Sequence, residues 1–390
     1  MKKFSLILSF IIAFSGLLIY PGTVSAVPWV GAGAYCVYDL ESGQFLGGDN
    51  WRTVMPPAST TKIMTALLAE EYLDLEETAL VSEQAARTLP TTIGLKAGQE
   101  MRVKDLLVAA LLSSANDATV VLAERIAGSE ELFAHLMNKK AFVLGAVSTT
   151  FKNSNGLPAE GHLSTCHDLF IISRAALQKP FFAETVAKTE EYIDHPGYPQ
   201  GKLVKNTNRL LATYPGMKGI KTGTTDAAGK CLIGLAERNG RQLVTVVLRA
   251  DDRYSATKTL FDYGFDSFSR TKVIDKDKPF KYLRVDEGHA AKVAVCPEKN
   301  SVIWLPEDGL KEVEKKVLLD YRPRAPVNKG ERIGIVRVYY KGELVDEIRL
   351  EAASQVERIP SGIWRIIKRA VNENRADIQS GDVSGSCCGI

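Results

Sequence analysis

The chain has 390 residues, enough for two domains or one large domain with an appendage, and 45% hydrophobic with 24% charged residues is an ordinary globular balance. That composition excludes a disordered, collagenous or multi-spanning chain. The formal net charge of +3, or 47 − 46 = +1 without Lys2 and Lys3, excludes a global electrostatic footprint for nucleic acid.

In chain order, residues 1–26 come first and stand apart. Lys2 and Lys3 precede an apolar run from Phe4 to Tyr20, Pro21-Gly22 breaks it, and Val24-Ser25-Ala26 supplies small residues. This is the order of a secretory signal, with cleavage expected after Ala26. The alternative is an uncleaved anchor helix, for which 17 residues barely suffice. Either reading places the rest of the chain outside the cytoplasm, in the cell envelope.

Ala34 to Leu46 alternates as strands do, with a turn at Glu41-Ser42-Gly43, and Pro56-Pro57 ends that region. Helices are predicted over 60–72, 103–112, 118–126, 130–144 and 167–177 from their apolar spacing. Cys231–Ala236 and Gln242–Arg249 read as strands joined through Asn239-Gly240, a strong hairpin signal. A helix over 254–263 follows. Strands at both ends with helices between predict an α/β (α+β) domain over 27–270, one sheet covered by a helical insertion. After Ser269 short β runs take over, at 280–285, 291–295, 301–305, 315–319, 333–340 and 343–350, the last two flanking Lys341-Gly342. They predict a small all-β sandwich over 271–358. Residues 359–376 predict an amphipathic helix, with Trp364 and isoleucines opposite Arg365, Lys368 and Arg369. It fits a membrane interface through 363–374, or docking on its own domain. The tail, 377–390, carries Cys387 and Cys388.

The other cysteines, Cys36, Cys166, Cys231 and Cys296, form no C-x-x-C pair, and the histidines lack ligand spacing, so no structural metal is expected. Cys36 and Cys231 read as small core residues.

Three short strings carry the chemistry. Ser59 and Lys62 in Ser59-Thr60-Thr61-Lys62 share a helical face one turn apart, and an amine whose pKa is lowered by burial and nearby positive charge can deprotonate a serine. The alternative is an N-cap serine beside a solvated lysine. Ser114-Ala115-Asn116 interrupts an apolar helical stretch, where a hydroxyl and an amide aimed at a cleft would find partners, Ser114 passing a proton. A plain loop with Asn116 or Asp117 capping the next helix is the alternative. Lys221-Thr222-Gly223 precedes Thr224 and a strand. Such an edge can dock an extended peptide, the glycine admitting close approach and Lys221 with Thr222 binding a terminal carboxylate. A glycine-rich loop is the alternative.

In this order S-x-x-K, S-x-N and K-T-G are an established signature of penicillin-binding proteins and class A β-lactamases. The chain resembles the D-alanyl-D-alanine carboxypeptidases of the S11 peptidase type, low-molecular-mass penicillin-binding proteins. The likeness extends over Pro57–Thr65, Ser113–Ala118, Asn153–Leu157 with His162, Ser164-Thr165 and Asp168, and Gly219–Thr225 with Ala228-Gly229. It covers about residues 30 to 265, and more weakly the β domain and terminal helix. It implies a transpeptidase-like fold, and removal of the terminal D-alanine from peptidoglycan stem peptides with no cofactor. The implied roles are Ser59 as nucleophile, Lys62 as general base and Ser114 as proton relay. Asn116, Lys221, Thr222, Gly223, Thr224 and Arg253 would hold substrate, and backbone N–H groups of Ser59 and Thr224 would form the oxyanion hole. β-Lactams would acylate Ser59 as covalent inhibitors. His167 and Cys166 stand where arginine and alanine are common in the family.

Three other readings compete. A β-lactamase is disfavoured because Ala115 stands where class A enzymes carry Asp and no Glu-x-x-x-Asn segment lies between Asn153 and Lys221. An endopeptidase on the same framework is separable only by assay. A catalytically inactive wall-binding scaffold is opposed by the intact Ser59, Lys62, Ser114 and Lys221.

Overall fold

The computed structural model describes residues 27–360 together with 362, 363 and 366. The expected signal segment, most of the expected terminal helix and the tail cysteines lie outside the described residues.

Two strands, β1 (Ala32–Asp39) and β2 (Phe45–Asp49), form the first hairpin. A 3-10 turn over Ala58–Thr61 leads into α1 (Lys62–Tyr72), followed by β3 (Thr78–Leu80), α2 (Glu83–Ala86), β4 (Glu100–Arg102) and α3 (Val103–Leu112). Then come α4 (Asn116–Ala127), α5 (Glu130–Leu144), α6 (Cys166–Ala176) and α7 (Pro180–Val186). A hairpin of β5 (Glu190–His195) and β6 (Tyr198–Lys205), with α8 (Leu210–Thr213), precedes β7 (Met217–Thr225), β8 (Gly229–Arg238), β9 (Arg241–Ala250) and α9 (Arg253–Asp266).

The main sheet has the order β2-β1-β9-β8-β7 and is antiparallel throughout, so β1 pairs with β9 across two hundred residues of chain. Its central strands read as unbroken apolar runs because both faces are covered. Ile233 and Leu235 face the helical block, while Leu232 and Ala236 pack with Phe261 of α9. Strand periodicity of two divides neighbouring residues between the two cores. Asn239 and Gly240 both have positive φ, the geometry of a two-residue type I′ turn. Because β7 is an edge, one row of its backbone groups has no strand partner.

Helix ends follow their capping residues. Ser129 accepts from Leu132 N and Thr165 from Asp168 N, while Gly145 ends α5 in the left-handed region. The expected helix over 118–126 starts two residues earlier, at Asn116. The β5–β6 hairpin and α7 were not expected. Strand pattern is weak in β5 and β6, where charged and exposed residues outnumber apolar ones.

The β-rich part contains β10 (Ser269–Ile274), β11 (Lys281–Arg284), β12 (Lys292–Pro297), β13 (Ser301–Leu305), β14 (Val313–Leu319), β15 (Arg332–Tyr340) and β16 (Glu343–Ala352). A five-stranded sheet, β11-β12-β16-β15-β14, and the pair β10–β13 enclose a core that includes Ile274, Leu305, Val336 and Ile348. The expected sandwich is present, with β10 as an additional strand. Gln44 exchanges two hydrogen bonds with the Trp304 backbone, at 2.6 and 2.9 Å, which fastens this part to the turn just before β2 of the first.

Candidate active site

Pro56-Pro57 stops the preceding chain, and Ala58, with φ +49°, turns it into the 3-10 segment that carries Ser59. Thr60 Oγ1 donates to Pro57 O at 2.7 Å and tightens that turn. No side chain caps the segment, so the N-cap alternative for Ser59 does not describe it. Two glycines make room for the turn. A Cβ on Gly223 of β7 would lie 2.9 Å from Ser59 N, and one on Gly156 would lie 1.9 Å from Ala58 O. Gly156 also has φ +87°, where other residues are strained.

The far side of the turn is tied by Thr61, whose Oγ1 is 2.9 Å from His162 Nε2. Lys152 N donates to His162 Nδ1 at 3.2 Å, so the ring proton resides on Nε2 and is donated to Thr61. Burial, with Lys152 nearby, pushes His162 down to about 4, and the ring is neutral at ordinary pH.

Lys62 is fully buried on the first turn of α1. Its Nζ lies 2.7 Å from Asn116 Oδ1, 2.8 Å from Asn155 O and 3.0 Å from Ser59 Oγ. A neutral amine has two N–H donors and one lone pair. In that state the two carbonyl oxygens can take the donors and leave the lone pair for the serine hydroxyl, whereas the protonated amine donates to all three oxygens. The Asn116 amide is fixed for this task because its Nδ2 donates to Leu89 O at 2.8 Å. Burial and the Lys221 charge hold Lys62 well below the usual lysine range, against opposing pulls from Asp117 and Glu130.

Those two carboxylates are structural supports. Asp117 is buried and accepts from the backbone N–H groups of Ile93, Gly94, Leu95 and Ala118, pinning the loop before β4. Glu130 Oε1 accepts from Ser154 N, Ser154 Oγ and Asn155 Nδ2, which holds the loop whose carbonyl meets Lys62. Ser114 sits half-buried between α3 and α4 with φ +65°, two residues before Asn116. Its hydroxyl makes no hydrogen bond among the described residues.

On the opposite wall, Lys221 is buried in β7 and its Nζ reaches Thr222 O at 3.2 Å. Burial and the Arg253 charge bring it down to about 7. Thr222 Oγ1 is 2.6 Å from Thr207 Oγ1, and Thr224 is exposed at the rim. Arg253, at the start of α9, donates to Gly223 O at 2.7 Å, Cys231 O at 3.0 Å and Thr224 Oγ1 at 2.8 Å. It braces β7 against β8, so its guanidinium is already engaged by the strand.

The structure therefore joins Ser59, Lys62 and Asn116 in one hydrogen-bonded cluster, with Gly223 against the same turn and Lys221 close enough to depress Lys62. Sequence reasoning assigned no role to Asn155, Glu130 or His162. A backbone carbonyl carries no residue-type signal, and Glu130 reads as an ordinary acid in a helix's first turn. No cluster of side chains able to hold a metal ion occurs among the described residues. A cavity of about 300 Å³ opens beside Ala58, between Pro56-Pro57, the segment 156–163 and the end of β7.

The family model described as D-alanyl-D-alanine carboxypeptidase matches residues 22–252, and that of the penicillin-binding protein 5 C-terminal domain matches residues 268–358. The chain is 31% identical over 344 residues to a Bacillus subtilis protein named D-alanyl-D-alanine carboxypeptidase DacF, covering 86% of this chain and 88% of the relative. It is similar in structure to penicillin binding protein 5 from Haemophilus influenzae, with TM-score 0.68 and 26% identity over 85% of this chain and 99% of the other. It is also similar to penicillin-binding protein D2 from Listeria monocytogenes in an ampicillin-bound form, with TM-score 0.55 and 35% identity over 61% of this chain and 99% of the other.

Proposed function

This chain belongs to the D-alanyl-D-alanine carboxypeptidase family of serine hydrolases (the S11 peptidases), and we propose that it removes the terminal D-alanine from peptidoglycan pentapeptide stems through an acyl-serine intermediate. One observation carries the reading: the buried Lys62 Nζ lies within hydrogen-bond distance of Ser59 Oγ, Asn116 Oδ1 and Asn155 O together, so that a neutral amine there can give its two donors to the carbonyls and its lone pair to the serine. A base in that state can take the serine proton as Ser59 attacks the penultimate D-alanine carbonyl.

The substrate peptide lies along the free edge of β7 by strand addition. Its terminal carboxylate meets Lys221 and the Thr222 and Thr224 hydroxyls, and Gly223 admits the close approach. The Ser59 and Thr224 N–H groups receive the developing oxyanion. Ser114, whose hydroxyl has no competing partner among the described residues, passes the proton to the departing D-alanine. Asn116 holds Lys62 and the substrate amide. Arg253 acts by positioning β7 and Thr224. Water then releases the acyl group, while a β-lactam acylates the same serine and leaves slowly. The enzyme works outside the cytoplasm.

Mass spectrometry after benzylpenicillin treatment tests this. The expected result is one long-lived adduct on the Ser59 peptide, absent in Ser59→Ala, with loss of D-alanine release from a pentapeptide. Fast penicillin turnover would instead mark a β-lactamase.

A further inference from the structure

The cavity of about 300 Å³ next to the nucleophile turn has an uneven lining. Pro56, Pro57, Leu157 and Leu163 give it an apolar wall, and Thr225 and Ala227 close it where β7 ends. Its ionisable side chains are Glu160 and His162, and the His162 ring is neutral and already engaged by Thr61 and Lys152 N, which leaves Glu160 as the one charged group of the lining. That carboxylate is exposed and has no ion-pair or hydrogen-bond partner among the described residues. A loose carboxylate over an apolar wall is matched by an aliphatic side chain that ends in a positive charge.

The position of the cavity says which substrate residue reaches it. Building on the function proposed above, the terminal carboxylate sits at Lys221-Thr222 and the scissile carbonyl lies at Ser59, beside Gly223. A peptide added antiparallel to β7 then runs toward Thr225 as it is followed back to its N-terminus. A strand advances about 3.3 Å per residue. The residue before the acylating D-alanine therefore arrives at the end of β7, over the mouth of this cavity.

We propose that this cavity is the specificity site for the stem residue preceding D-alanyl-D-alanine, and that Glu160 recognises a primary amine at the end of that residue's aliphatic side chain. The apolar wall takes the methylene stem and the carboxylate takes the ammonium. Glu160 is a specificity residue with no part in the acylation chemistry, because it shares no hydrogen bond with Ser59 or Lys62 among the described residues.

The test uses two synthetic substrates with the purified chain: Nα-acetyl-L-lysyl-D-alanyl-D-alanine with its side-chain amine free, and the same tripeptide with that amine acetylated. An exposed ion pair is worth up to about 1 kcal/mol, so the free amine should raise kcat/KM about three- to five-fold, through KM. Glu160→Gln should bring the ratio close to one, and Glu160→Lys should invert it. Both variants should still form the covalent benzylpenicillin adduct on Ser59, which shows that the nucleophile turn is folded. A ratio unchanged in both variants, with penicillin adducts intact, would overturn the assignment alone. Failure of the wild-type chain to form any adduct or release D-alanine would overturn the carboxypeptidase reading and this assignment with it.

Discussion

Gly156→Ala is the sharpest perturbation of the nucleophile turn that leaves every chemical group in place. A methyl at this position would lie 1.9 Å from Ala58 O, 2.4 Å from Ala58 C and 2.9 Å from Thr61 Oγ1. Ordinary contact begins at 3.4 Å, so one partner must move by 3.4 − 1.9 = 1.5 Å. Ala58 is buried and immediately precedes Ser59, so the nucleophile moves with it. The left-handed backbone at φ +87° adds about 1–2 kcal/mol, and the overpacking about 1–3 kcal/mol. The variant should lose about 2–5 kcal/mol of folding stability, a substantial share of the roughly 5–15 kcal/mol of a typical protein. Displacing a reacting atom by about 1 Å costs on the order of 100-fold in rate, or about 2.7 kcal/mol. The assay is the second-order rate of acylation by a fluorescent penicillin, measured below the unfolding temperature. Gly161→Ala is the control. It has φ +73° but meets only Lys152 Cε at 3.4 Å, so it should show the backbone cost and a near-normal acylation rate. A Gly156→Ala enzyme acylated within two-fold of wild type would refute the claim that this glycine sets the position of Ser59.

Other outcomes follow from the buried charges. Lys221→Gln removes the cation that helps depress Lys62, so the Lys62 pKa should rise and the acid limb of the acylation-rate profile should shift to higher pH; an unmoved limb would refute the coupling. Folded Lys221 loses its proton at about 7, against an ordinary lysine value of 10.5, so between those values the unfolded chain binds more protons and stability should increase with pH. Urea titrations of wild type and Lys221→Gln should show a shallower rise in the variant, and equal slopes would contradict this. Arg253→Gln removes a charge that holds Lys221 down and should move the start of that rise above 7, again read by urea titration. Asp117→Asn replaces an acceptor of four backbone N–H groups by a group that is half donor, and should cost about 3 kcal/mol in urea unfolding; a loss under about 1 kcal/mol would show that the loop at 93–95 holds itself.

The contrast between what was legible in the sequence and what was not has a physical cause. The helix over 130–144 was readable to the residue because Ser129 and Gly145 punctuate it locally, and the type I′ turns at Asn239-Gly240 and Lys341-Gly342 because few residue pairs accept two positive φ angles. The hairpin over 190–205 was not, since its strands bury little and carry no alternation to detect. The same division runs through the candidate site. Ser59, Lys62 and Asn116 could be named because their chemistry demands a hydroxyl, an amine and an amide. What holds Lys62 in a usable state comes from far along the chain: Asn155 O, 93 residues away, contributes only a backbone carbonyl, which any residue at that position would also possess. Its placement depends in turn on Glu130 and on the empty space at Gly156, two features that look like a helix start and a loop when read alone. Side-chain chemistry is thus spelled out in one dimension, whereas the pKa of Lys62 is a property of burial and of neighbours that only folding assembles.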